Sequence, residues 1–82
     1  MTVAELMEKL AKCNPEALVV VEDAELGFDA EWTAFELNAS VHRSASSVYV
    51  DYVRVAYTPP ERVERIVALT RWGHHDDQAV EL

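Results

Sequence analysis

The sequence predicts an α+β fold, a small antiparallel three-stranded sheet with two helices in the order α-β-β-β-α. Three observations predict it. A capped amphipathic helix opens the chain, three stretches rich in β-branched and aromatic residues follow, and a proline-led cap precedes a second amphipathic stripe. Consecutive strands on short connections favour antiparallel pairing, with the helices packed on one face.

The first helix is expected over residues 3–13. Thr2 and Glu5 have the spacing of a capping box, and Val3, Leu6, Met7 and Leu10 share one helical face. Glu5 with Lys9 and Glu8 with Lys12 are spaced as i,i+4 pairs. Asn14 suits a left-handed position after the helix, and Pro15 stops it. The run Ala17–Val21 is too short for a buried helix and reads as a central strand over about 17–22. An acidic loop, broken by Gly27, follows.

Residues 32–42 alternate. Thr33, Phe35, Leu37, Ala39 and Val41 share the face that suits a core, and Trp32, Ala34, Glu36, Asn38, Ser40 and His42 share the other. Ser44–Ser47 is a hairpin connection by length and polarity. Residues 48–57 carry the highest strand propensity, but their alternation slips near Asp51 and Tyr52. A bulge there, or a strand covered on both faces, accounts for the slip. Thr58-Pro59-Pro60-Glu61 is a second capping box, and Val63, Ile66, Val67 and Thr70 form a helical stripe. Val63, Arg65, Val67 and Leu69 also alternate as a strand would; the proline cap favours a helix over about 60–71. Residues 73–82 read as a loose tail. The whole of 1–82 is expected to be one domain.

Composition narrows the function. Half of the 82 residues are hydrophobic, enough for a core. Only Gly27 and Gly73 are glycine, which disfavours a phosphate-cradling loop. A lone Cys13 rules out a disulfide within the chain. The opening residues lack a basic region followed by an apolar run, and no stretch approaches the roughly 20 apolar residues of a membrane span. The expected location is the cytoplasm, with no membrane partner.

The net charge is −8, and residues 1–40 carry −7 of it. A field of that sign repels nucleic acid and attracts basic protein surfaces. Arg43, Arg54, Arg62, Arg65 and Arg71 are dispersed, which argues against direct nucleic-acid binding. Five carboxylates, Glu22, Asp23, Glu25, Asp29 and Glu31, fall in ten residues without a base. A solvated loop and a surface for an Arg/Lys-rich partner both fit; calcium does not, because the spacing lacks the regular ligand positions of an EF-hand. Trp32, beside them on the polar face, is the expected apolar anchor, with Trp72 second. Tyr49, Tyr52 and Tyr57 are the expected dimer or sheet-interface residues.

Catalytic signals are weak. Cys13 lies beside an apolar stripe, and Ser40, Ser44, Ser46 and Ser47 sit in no nucleophile-elbow pattern. His74-His75-Asp76-Asp77 has ligand types, but the remaining soft ligands, His42 and Cys13, are far away in sequence. No enzyme activity, metal or cofactor is expected.

Thr2–Leu10, Asn14-Pro15-Glu16-Ala17, Val19–Asp23 and Gly27-Phe28-Asp29 together form a pattern of short helix, Pro-x-Ala, valine run and acidic stretch with glycine and an aromatic. This pattern resembles small phage and prophage proteins of unassigned role, over about the first third of the chain. The Pro59-Pro60 segment departs from it. The resemblance implies a mobile genetic element, whose small acidic proteins include anti-CRISPR and anti-restriction inhibitors. The expected function is then an acidic phage-type inhibitor that binds the basic nucleic-acid-binding surface of a host protein or ribonucleoprotein complex, such as a CRISPR–Cas effector. The alternative is a phage structural or assembly protein acting as a homodimer.

Overall fold

The computed structural model describes residues 1–21, 32–70 and 78–82. These residues form one helix, α1 (Val3–Leu10), and five strands: β1 (Val19–Val21), β2 (Thr33–Arg43), β3 (Val48–Asp51), β4 (Val63–Thr70) and β5 (Val80–Glu81). A single 3-10 turn, Pro60–Arg62, precedes β4. The strands make one mixed, curled sheet in the order β1-β4-β2-β3, with β5 also paired to β2. The expected three-stranded antiparallel sheet with two helices is therefore corrected to one helix and a five-stranded mixed sheet.

The pairing of β2 with β4 is the backbone of the fold. The two run antiparallel through eight matched positions, from Thr33 opposite Thr70 to Ser40 opposite Val63. β1 lies parallel to β4 on its far side, with Val19 opposite Val67 and Val21 opposite Leu69. On the other side of β2, β3 pairs with Ser40–Arg43 and β5 with Phe35 and Glu36.

The expected second helix at 60–71 is β4 instead. Pro59 and Pro60 start only one 3-10 turn, closed by the Arg62 amide donating to the Pro59 carbonyl at 3.0 Å. Ile66, Val67 and Ala68 are all buried, so both faces of this strand are covered. A strand covered on both faces carries apolar residues at adjacent positions, which imitates a helical stripe. Pairing on both sides then outweighs the local proline signal.

The central strand expected at 17–22 is also corrected. β1 is three residues long and pairs with β4 alone among the described residues, and Val19 and Val21 are exposed. Its inward contribution is Val20, which packs with Leu18 against the core. The core itself is Leu37, Ala39 and Val41 of β2 with Ile66 and Ala68 of β4. The expected alternation of β2 places the first three there. Residues 78–82, expected as a loose tail, include β5, and Ala79 packs against the core.

α1 is shorter than the expected 3–13. Thr2 Oγ1 accepts from the Glu5 amide at 3.2 Å and donates to the Glu5 carboxylate at 3.0 Å. The helix is capped at Ala11, and Asn14 lies three residues further on, where its Oδ1 accepts from the Glu16 amide at 2.9 Å. α1 has no buried residue, and Val3 is 76% exposed. The core is a product of strand pairing, so two substitutions should separate. Leu37→Ala should cost about 2–5 kcal/mol of unfolding free energy, whereas Val3→Ala should stay within about 0.5 kcal/mol. Urea titration followed by far-UV circular dichroism checks both.

Candidate interaction surface

The strand expected at 48–57 ends at Asp51. Neither a bulge nor two covered faces explains the slip in its alternation; the chain leaves the sheet there. The Tyr52 amide donates to Asp51 Oδ1 at 2.7 Å. The Arg54 amide then donates to Thr58 Oγ1 at 2.9 Å, while the Arg54 carbonyl accepts from the Tyr57 and Thr58 amides. This turn pushes Val55 and Tyr57 into solvent, at 97% and 84% exposure. Tyr49, on β3 opposite His42, and Tyr52 are exposed as well. The three tyrosines are thus all exposed, with half-buried Val50, Asp51 and Val53 between them, and only Tyr49 belongs to a strand.

Trp32, the expected anchor, is half-buried immediately before β2. Glu22, Asp23, Glu25, Asp29 and Glu31 lie outside the described residues, as do Trp72 and the His74–Asp77 cluster. Among the described residues no three His, Cys, Asp or Glu side chains gather as a metal site.

The described charges are arranged unevenly. Arg43 bridges Glu64 through its two terminal guanidinium nitrogens, Nη1 and Nη2, and its hydrogen bond holds the Glu64 carboxyl below the usual carboxylate range. Arg65 Nε donates to Glu36 Oε1 at 2.9 Å, and its Nη1 donates to Gln78 Oε1 at 2.9 Å and to Asn38 Oδ1 at 3.3 Å. Gln78 Oε1 also accepts from the Asn38 amide at 2.7 Å. Two of the dispersed arginines are therefore committed to sheet carboxylates. Lys9 donates to the Leu82 carbonyl, and neither expected i,i+4 pair of α1 is among the ion pairs of the described residues. Glu5, Glu8 and Glu16 are exposed, and none of them bridges to a described lysine or arginine.

On the core side, an open hollow of about 190 Å³ is lined by Val20, Leu37, Ala39, Val50 and Ile66, with Asp51 and Tyr52 beside them. On the other side, the turn after α1 brings Cys13 against Glu36. Partial burial pushes the Cys13 thiol up, and the Glu36 carboxylate adds to the rise by its charge and by accepting a hydrogen bond. This thiol is held neutral, the opposite of what a nucleophile needs.

Sequence reasoning missed Val55 and the acids of α1 as surface features. The disturbed alternation after Asp51 was the signal for the first. For the second, the helix spacing suggested lysine partners, of which Lys9 instead reaches the Leu82 carbonyl.

The state of Cys13 gives a pH dependence. An unfolded thiol ionises near about 8.5, and the folded one ionises above that. Stability is therefore unaffected at neutral pH and falls as pH rises from the unfolded value towards the folded one. Urea midpoints of wild type and Cys13→Ala should run parallel below about pH 8 and converge or cross above it. Comparison with protein-family models, with curated proteins and with solved structures finds no match to the chain.

Proposed function

We propose that this chain works by binding a protein partner, with a negative surface that steers it onto a basic one. The observation that carries this reading is the set Glu5, Glu8 and Glu16, exposed and bridged to no described lysine or arginine, in the half of the chain that holds −7 of the −8 charge. The arginines that could offset it are in part spent elsewhere, on Glu36 and Glu64. A surface of one sign raises the encounter rate with an opposite one by roughly 10- to 1,000-fold at low ionic strength. Glu22, Asp23, Glu25, Asp29 and Glu31 would extend this surface, with Trp32 as its apolar contact.

The narrower form of the proposal is an inhibitor of a host defence complex, such as a CRISPR–Cas effector, that occupies its nucleic-acid-binding surface. Size, charge and the resemblance of the first third to phage proteins support it. This reading requires the bacterial cytoplasm, and no helix among the described residues is long and apolar enough to cross a membrane.

The test is affinity capture from a bacterial lysate, with association rates measured on the species that elutes. A basic nucleic-acid-handling complex should be captured at low salt and released at high salt. Changing Glu22, Asp23, Glu25, Asp29 and Glu31 to their amides should slow association about tenfold or more. Unchanged capture by that variant would overturn the steering role.

A further inference from the structure

We propose that the free edge of β3 binds a second copy of this chain, joining two sheets across a two-fold axis at Tyr49. The proposal is independent of the acidic partner surface.

The argument starts from the backbone. Among the described residues, β3 pairs with β2 alone. The hairpin before it closes with the Ser44 amide donating to the Ser47 carbonyl at 2.9 Å. In an antiparallel pair, hydrogen-bonded and non-hydrogen-bonded positions alternate. With 44 and 47 bonded, 43 and 48 are not, 42 and 49 are, and 41 and 50 are not. The amide and carbonyl of Tyr49 therefore point at β2. Those of Val48 and Val50 point away from it, into the unpaired edge.

Symmetry then selects the register. A two-fold axis perpendicular to a sheet keeps each face on its own side, so paired residues must share a parity. With Tyr49 opposite Tyr49 of the other copy, Val48 faces Val50 and Val50 faces Val48. Those are the residues whose backbone groups are outward, so four inter-copy hydrogen bonds form. Tyr49 meets its own image at a non-hydrogen-bonded position, where cross-strand side chains approach most closely. Asp51 meets Ser47, so no like charges face each other. Val50 already packs against the core, and Val48 lies on the same face. The second copy thus continues the apolar face rather than starting a new one.

Charge favours a second copy over the basic partner here. Residues 48–57 contain one acid, Asp51, and one base, Arg54, in a chain of net −8. Two such chains can approach along a strand segment that carries no net charge. The segment is rich in valine and tyrosine, the composition of an interface centre depleted in charge. Its edge also lacks proline, lysine or a bulge, the usual devices that block strand addition.

Sedimentation equilibrium tests the proposal. Wild-type protein should run at twice its 9.2 kDa mass. Val48→Pro removes an outward amide that β2 does not use, and Tyr49→Asp sets two carboxylates face to face. Each should weaken self-association at least tenfold while leaving the far-UV spectrum unchanged. With Cys13→Ser as background, Tyr49→Cys should form a disulfide-linked dimer on mild oxidation, and Tyr57→Cys should not. A wild-type monomer at millimolar concentration would overturn the proposal, and so would a dimer unaffected by both edge substitutions.

Discussion

The pairing of β2 with β4 is the constraint on which the rest of the structure depends. Eight matched positions align the buried residues of both strands, so that Leu37, Ala39 and Val41 meet Ile66 and Ala68 on one face. Burial at about 25 cal/mol per Å² of apolar surface is the main favourable term in so small a chain. The same register serves the opposite face. Asn38 lies opposite Arg65, and Glu36 two positions along, so the Arg65 guanidinium reaches Glu36, Asn38 and Gln78 at once. Ala34 and Val67 are buried on that face too. A slip of one residue would turn both faces inside out, exposing the core and burying the charges.

The chain ends and the helix attach to this pair rather than to each other's apolar surfaces. The Leu82 amide donates to the Ala34 carbonyl at 2.9 Å, and the Leu82 carbonyl accepts from Lys9. Cys13 touches Glu36 from the turn after α1. Polar contacts of this kind tie α1 down while leaving Val3 and Met7 in solvent. The amphipathic stripe of the helix is consequently a poor guide to the core of this protein, although its cap reads correctly.

What was legible in the sequence divides along a physical line. Local chemistry was legible: the Thr2–Glu5 cap, the serine hairpin, the two faces of β2 and the location of its core residues. Each depends on spacing within a few residues. Partnership was not. Ala17–Val21 has the composition of a central strand, yet β1 pairs only with β4 among the described residues and exposes Val19 and Val21. Residues 63–70 satisfy a helical and a strand period together, and only the eight-position match with β2 decides between them. Of the candidate surface, the tyrosines at 49, 52 and 57 were legible as interface candidates, but which face of 48–57 is exposed was not, since that depends on the turn from Arg54 to Thr58, which is held by the Arg54 carbonyl and the Thr58 hydroxyl.

The distribution of charge follows from the same topology. β2 and β4 are interior strands, so a carboxylate on either must be matched nearby: Glu36 finds Arg65 and Glu64 finds Arg43, each from the neighbouring strand or its register. Leaving Glu36 unmatched at its half-buried position would incur a desolvation cost that water cannot fully offset, whereas the Arg43–Glu64 pair is solvent-exposed and contributes little. α1 is under no such constraint. Its carboxylates face water, where an unpaired charge costs little and extends its field within roughly 8 Å at physiological salt. Sheet pairing thus commits two of the five arginines, Arg43 and Arg65, while the acids of α1 stay bridged to no described lysine or arginine. The segment 48–57, with Asp51 and Arg54 in balance, escapes both demands. A chain this acidic repels its own copies in most orientations, so a neutral, apolar edge such as that of β3 biases which orientation survives.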